Sequence, residues 1–401
     1  MEMRRPSRVL DTDVCIVGAG PHGLAATLLF KRLAPSVSVT VIDRTNKWLQ
    51  AWSRQFEHAG ITVLRSPIVH HPYPDALALD TFQIQNGFSA SGLPYNPPTS
   101  ECFLAFCSEI IHDAGLDDPL IAVPQLVHAN QNQIELITST GIIHSRYLII
   151  ASNPHYKIIP QWAQDLFRKP NLVKHASDVN LLDMTDLDGQ SITVIGGGMT
   201  AAHLAKGAAL KGASVKMISR RPLQIRNFDT DPGWLGPKYL SDYYSETIAS
   251  KRIQIAQEAR GGGTIPPWIH DVLLDLVDEG DIELLESTEV MSAQPTSAEG
   301  YLLKLKDEKE IYSDQVWLAT GTCSSLQSME CLHPVLENIS FVDGFPILDS
   351  SLRLKPHPVY VMGRSATFAL GPAAGNLWGA TRAAHRITRD ITGVELISNG
   401  S

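Results

Sequence analysis

SITVIGGGMTAAHLAKGAALKGASVKMISRR, residues 191–221, is the stretch on which the fold turns. SITVI is a short apolar run with β-branched residues and reads as a strand, MTAAHLAKGAAL is built of helix formers, and ASVKMIS returns to a strand. Strand, helix and strand make a βαβ unit with glycines at its first turn. Gly196 and Gly198 let the backbone turn tightly and approach a pyrophosphate. Ala201 takes the position where a third glycine commonly lets the helix lie close to the strand, and the helix N-terminus offers N–H donors to phosphates. The unit ends on Ser219, Arg220 and Arg221. These side chains can hydrogen-bond and neutralise a 2′-phosphate, which an acid would repel, so NADPH is favoured over NADH. Either arginine can instead be ordinary surface charge.

A similar unit stands near the start. VCIVGAGPHGLAATLLFKRL runs from an apolar strand through Gly18, Gly20 and Gly23 into a helix, and SVSVTVID forms the next strand. Gly18 permits the turn, Gly20 the approach of a pyrophosphate and Gly23 close helix packing, while Asp43 at the strand end can accept bonds from a ribose. The motif by itself suits FAD or NAD. Two nicotinamides in one chain would leave no evident electron acceptor, so the acidic first unit is assigned to FAD and the basic second unit to NADPH.

The 401 residues carry 44% hydrophobic and 19% charged side chains and a formal net charge of -9. That is the composition of a globular protein, and the charge argues against a broad nucleic-acid surface. No apolar run is long enough to span a membrane, and Asp11 and Asp13 interrupt the first hydrophobic region; a cytoplasmic protein is expected. Cys15, Cys102, Cys107, Cys323 and Cys331 contain no CxxC pair, and FLAF between Cys102 and Cys107 reads as helix packing. The 14 histidines, including the adjacent His70 and His71, form no metal motif, and no metal is expected. Nothing in the sequence sets an oligomeric state.

The fold class expected is α/β, with two Rossmann-like dinucleotide-binding domains. A discontinuous FAD domain, residues 1–187 and 319–401, would hold an inserted NADPH domain, residues 188–318. ECFLAFCSEIIHDAG reads as a helix and QIELITSTGIIHSRYLIIAS as a hairpin returning to a strand. The glycines at 261–263 suit either close approach to a nicotinamide or a flexible junction. In HPVYVMGRSATFALGPAAGNLWGATRAAHRI a strand leads through a glycine-rich turn to a helix. Gly363 is expected near the ribityl or phosphate part of FAD, and Gly375 and Asn376 open a helix whose N–H groups can address the flavin's pyrimidine edge. Arg65 in VLRSP can steer a substrate carboxylate, contact FAD or stabilise its loop. Trp48 and Trp52, at helical i, i+4 spacing, can flank the flavin or pack a core.

The order of these motifs resembles the class B flavin monooxygenases, especially the lysine and ornithine N-hydroxylating group. GAGPHGLAA resembles that group's FAD entrance, and GGGMTAAHLA with ISRR its NADPH unit. DPGWLGPKYLSDYYS resembles the segment after the second fingerprint, and ATGT at 319–322 the return to the flavin domain. KHASDV at 174–179 resembles the histidine-containing crossover, which puts His175 at a domain junction. Asn153 stands where an ATG-like turn would have glycine. The resemblance spans about residues 12 to 385. It implies that NADPH reduces FAD and that a flavin C4a-(hydro)peroxide oxygenates a small nucleophile such as an amine nitrogen, with molecular oxygen as co-substrate and no side-chain nucleophile. A flavin reductase or oxidase and a nucleotide-binding redox regulator are the competing readings.

Overall fold

Buried on both faces, as a parallel strand beneath helices must be, the run Val14–Val17 lies at the centre of the first sheet. The computed structural model of the chain describes residues 9–152, 154–167, 173–296 and 299–394. The strand Val9–Val17 pairs in parallel with Val39–Asp43 on one side and Ile142–Ile150 on the other. Leu120–Ile121 extends the first side. On the other, Ile134–Thr138 and Pro124–Ala129 add antiparallel strands, so the expected hairpin forms with its turn between Thr138 and Ile142. Val359–Val361 also joins Ile142–Ile150, in parallel. The chain therefore comes back to its first sheet after leaving it.

A second sheet is wholly parallel, in the order Ile282–Leu285, Ser214–Ile218, Ser191–Ile195, Gln315–Leu318 and Val173–His175. Its last strand comes from residues that the sequence reading put before position 188. The reason is physical: KHA follows a crossover whose length is not marked by composition, and only the pairing Val316↔Val173 assigns it. A three-stranded antiparallel layer, Val290–Pro295, Tyr301–Leu305 and Glu310–Ser313, covers part of this unit. The outgoing and returning chains run side by side, because His155–Lys157 pairs with Thr322–Ser324. His175 sits there, its Nε2 3.0 Å from the Gly321 carbonyl oxygen and its Nδ1 2.9 Å from Ser177 Oγ.

Both fingerprint helices start where expected, Pro21–Leu33 with proline in its first turn and Met199–Ala209 after Gly198. The C-terminal helix Leu377–Thr392 lies along the first of them. Ala25, Ala26, Ala380, Ala383 and Ala384 belong to one buried cluster, and their small side chains let the two backbones come close. Ser100–Asp113 is a helix capped by Thr99, whose hydroxyl accepts from Cys102 N. Cys102, Phe103, Phe106 and Cys107 form its buried face. No helix of the described residues is long and apolar enough to cross a membrane.

A carbon added at Gly23 would lie 2.0 Å from the Gly18 carbonyl oxygen, whereas one added at Gly20 meets nothing within 4 Å. Gly23→Ala is therefore expected to lower stability by about 1–3 kcal/mol through overpacking. Gly20→Ala should cost less than about 1 kcal/mol, the scale of a helix-cap change. Urea unfolding of the two variants checks this, and equal losses would contradict it.

Candidate functional site

The two fingerprint turns open on one cavity of about 2980 Å³ between the sheets. That is well above the roughly 300–1,000 Å³ of an ordinary small-ligand pocket. Gly18, Gly20 and Asp43 line it from the first unit, Gly196, Gly198, Ala201, Ser219, Arg220 and Arg221 from the second, and Gly363, Gly375 and Asn376 from the returning chain. Gly23 does not line it and instead packs the helix on the turn, the part its position suggests.

At the first turn Gly18 has φ +112°, and a side-chain carbon there would lie 2.7 Å from Ser152 N. Its N–H donates to the Ile42 carbonyl at 2.8 Å. Asp43 is held by two partners: Oδ2 accepts from Ala19 N at 3.0 Å, and Oδ1 accepts from Thr45 N at 3.1 Å. A carboxylate has about four acceptor positions, so Asp43 keeps capacity toward the cavity while its direction is fixed. An open Gly20, a tight Gly18 and a fixed acid fit the ADP half of FAD.

The second turn repeats this geometry. Gly196 N donates to Ile218 O at 2.9 Å, and a carbon on Gly196 would lie 2.4 Å from the Ala319 carbonyl oxygen. Gly198 faces Gly263 backbone to backbone, since a carbon on Gly263 would stand 2.8 Å from Gly198 Cα. Gly263 thus packs on the fingerprint. Ser219 is buried and its hydroxyl donates to the Arg221 carbonyl at 2.7 Å, which shapes the turn. Arg221 lies over Gly262, with Nη1 3.4 Å from the Gly261 carbonyl oxygen. Arg220 is exposed on the cavity wall. Two arginines at the end of an uncharged turn fit a dinucleotide carrying a 2′-phosphate.

Trp48 and Arg65 depart from the ligand-contact expectation. Trp48 lies outside the cavity lining and before the helix Gln50–His58, so it does not share a helical face with Trp52. Leu49 takes a left-handed conformation between them, and the Trp48 indole N–H donates to the Asp117 carbonyl at 3.1 Å. Trp52 does line the cavity, stacked on Phe56 at 4.0 Å. Arg65 reaches the cavity wall, but its guanidinium donates to three carbonyls of the second unit: Asn227 at 2.9 Å, Thr264 at 3.3 Å and Arg226 at 2.6 Å. It ties the two units together rather than presenting a free charge to a ligand. Burial lowers its pKa to about 10, which leaves it charged. Asn153 lies outside the described residues.

Further polar contacts hold the site and its rim. Arg260 Nη2 and Asp229 Oδ2 pair at 2.6 Å, Arg260 Nη1 donates to the Pro372 carbonyl at 2.9 Å, and Asn376 Nδ2 donates to Asp229 Oδ1 at 3.1 Å. Tyr243 donates to the Thr367 carbonyl at 2.7 Å. His22 also lines the cavity, its Nε2 3.2 Å from the Ala374 carbonyl oxygen, and burial holds its pKa down. His22 lies within GAGPHGLAA and Tyr243 within DPGWLGPKYLSDYYS, and Asp229 stands just before the latter segment, but the partners of these groups lie far along the chain and no local signal pairs them.

Thiol and metal chemistry find little support in the described residues. Burial pushes the Cys15 thiol up to about 12 and Cys102 up to about 11, and raises Cys107 as well. A reactive thiol needs the opposite shift. No group of three or more His, Cys, Asp or Glu side chains among the described residues is placed to hold a metal ion.

Residues 122–261 match the family described as Pyridine nucleotide-disulphide oxidoreductase. No curated protein matches the chain in sequence. Among solved structures, the cadaverine monooxygenase of the desferrioxamine pathway from Erwinia amylovora superposes with a TM-score of 0.77 at 16% identity, over 96% of this chain and 95% of that one. The ornithine N-hydroxylase of Kutzneria sp. 744 gives 0.77 at 14% identity, over 95% and 99%. L-lysine 6-monooxygenase from Pseudomonas syringae gives 0.74 at 16% identity, over 95% and 99%. Nearly end to end, the chain has the two-unit α/β fold of these flavoproteins.

Arg65→Met removes three charge-assisted bonds between the units. The expected loss is on the order of 1–3 kcal/mol, because two partly buried carbonyls and one exposed carbonyl are left without donors. Hydrogen exchange should accelerate selectively at 224–227 and 262–265; unchanged protection there would refute the tie.

Burial pushes His71 and His203 from the ordinary 6.5 down to about 4. Both are neutral when folded but take up a proton near 6.5 when unfolded. Their contribution is full above about pH 6.5 and is lost as the pH falls toward 4. His203→Leu should flatten the pH dependence of the melting temperature across that window, and an unaltered slope counts against this account.

Proposed function

We propose that this chain is an NADPH-dependent flavoprotein monooxygenase that oxygenates a small nucleophile, an amine nitrogen being the favoured target. The observation that carries this reading is the opening of two unlike fingerprint turns, one ending on Asp43 and the other on Arg220 and Arg221, onto a single interdomain cavity. FAD belongs to the first sheet with its returning strand and NADPH to the second sheet, so that both reach the same space. When bound, FAD supplies the electron acceptance and oxygen chemistry that no side chain here provides.

The chain's own residues bind, orient and exclude water. Gly18 and Gly20 bring backbone and helix N-terminus to the FAD pyrophosphate, and Asp43 receives the ribose. Gly196 and Gly198 do the same for NADPH, with Arg220 and Arg221 on its 2′-phosphate. Trp52, stacked on Phe56, gives the cavity an apolar wall, which limits water near the reacting centre. The amine target draws support from the cadaverine and ornithine enzymes that share the fold.

A reductase or oxidase reading is favoured by the description of the family matched at 122–261. Four of the five thiols, Cys15, Cys102, Cys107 and Cys331, are buried with raised pKa values, which speaks against its disulfide-reducing form. The distinguishing experiment follows hydroxylamine formed per NADPH consumed, with hydrogen peroxide measured in parallel, on cadaverine, ornithine, lysine and a panel of sulfides. Product matching NADPH supports the monooxygenase; peroxide alone with every compound supports an oxidase. Binding of both nucleotides without oxidation of NADPH supports a regulator.

Replacing Arg220 and Arg221 together by alanine should weaken NADPH by about tenfold or more, one to two charge-assisted bonds, and leave NADH nearly unchanged. Titration with each nucleotide checks this. Equal weakening would remove both arginines from the phosphate site.

A further inference from the structure

The proline-rich loop GLPYNPPT, residues 92–99, carries Tyr95, and the DPGWLGPKYL segment is entered through Phe228. Neither residue has a task in the functional reading. Tyr95 belongs to the first unit and Phe228 to the second, and both line the interdomain cavity. Their rings lie 5.0 Å apart at 56°. Tyr95 is 60% exposed and Phe228 half-buried. The pair therefore stands at the rim, with solvent on one side and the cavity on the other.

The two halves are held differently. Phe228 is fixed from both sides: Arg65 donates to the carbonyls of Arg226 and Asn227 just before it, and Asp229 just after it pairs with Arg260 and Asn376. Tyr95 has φ +68° and Asn96 φ +44°, a left-handed conformation that a bulky side chain such as tyrosine rarely adopts. Its neighbours impose it. Asn96 Nδ2 donates to Gln83 Oε1 at 2.8 Å, Pro98 accepts from Leu64 N at 2.9 Å, and Pro94 and Pro97 stiffen the chain on either side. Tyr95 itself makes one long backbone bond, its carbonyl accepting from Ile68 N at 3.5 Å, and its hydroxyl has no partner among the described residues. The loop thus presents the ring to Phe228, and ring contact holds it there. Such a contact is weaker than the charge-assisted bonds of Arg65 and Arg260 around it, so it gives way first.

Two contacts join Phe228 to the second fingerprint turn. Arg226 N donates to the Ile265 carbonyl at 3.0 Å, and Gly263 packs against Gly198. We propose that Tyr95 and Phe228 form a latch over the second turn's side of the cavity, with Tyr95 the moving half. Its ring swings away to admit or release the nicotinamide nucleotide and returns to Phe228 to close the cavity against water. The inference rests on the NADPH reading above. A latch lies on the path and not on the bound ligand, so it slows entry and exit by the same factor and leaves affinity alone. A residue that touches the ligand acts chiefly on exit.

The test uses the full-length, FAD-loaded protein and NADP+, with association and dissociation rates followed by tryptophan fluorescence after rapid mixing. Tyr95→Ala should raise both rates about fivefold, the factor to which a ring pair's stabilisation corresponds, and leave Kd within about twofold. Tyr95→Phe keeps the ring, loses only an unpartnered hydroxyl and should retain the wild-type rates. Phe228→Ala should match Tyr95→Ala, and the double variant should add nothing further, because both singles lose one shared contact. Should Phe228→Ala not fold, Phe228→Leu, which keeps an apolar group without a ring, carries the same expectation. Unchanged rates in Tyr95→Ala would overturn the proposal, and so would faster dissociation alone, which would make Tyr95 a ligand contact. Additive effects in the double variant would also overturn it. If the wild-type protein binds no NADP+, the nucleotide reading itself fails, which is a separate result.

Discussion

Backbone-to-backbone contact at two glycine turns is the constraint from which the rest follows. Gly18 lies so close to Ser152 N, and Gly196 so close to the Ala319 carbonyl oxygen, that no side chain fits at either place. Ser152 and Ala319 are equivalent points: each follows the end of the parallel strand next to its fingerprint strand, Ile142–Ile150 in one unit and Gln315–Leu318 in the other. At these same points the chain crosses between units. The crossings pair with one another through His155–Lys157 and Thr322–Ser324. The nucleotide turns and the domain junction are thus parts of one packed region, and a ligand seated on either turn rests against a crossing.

The units are held together elsewhere by polar groups reaching carbonyls of the other unit. Arg65 donates to 226, 227 and 264, Arg260 to Pro372, and Tyr243 to Thr367 and Phe368. Such bonds are directional and satisfy loop carbonyls that a wholly apolar interface would bury unpaired. They surround a cavity wide enough for two nucleotides without filling it with side chains. Interdomain interfaces of this polar kind commonly permit relative motion.

Legibility in the sequence followed the range of the physics. Both βαβ units, the helix Ser100–Asp113 and the hairpin at 134–150 could be read because strand alternation, helix composition and turn glycines act over a few residues. Trp48 and Trp52 were paired by spacing, but Leu49 breaks the helical register in a left-handed cap, and neither its composition nor its neighbours announce that. Arg65 looked like a ligand group because a lone arginine in a proline-rich loop has no visible partner; its partners lie more than 160 residues away. The strand Val173–His175 is too short for periodicity, and its sheet is set by a pairing with 316–318.

By itself the sequence determined that two dinucleotide folds exist, where their turns lie, and that one ends on an acid and the other on arginines. Those properties follow from Cβ sterics and local charge, which a few adjacent residues settle. Only the tertiary structure decided that both turns face one cavity, that Arg65 and Arg260 are engaged across the units, and that Tyr95 meets Phe228. Each of these depends on groups distant in sequence meeting at a particular separation, and that separation is set by how the two sheets pack.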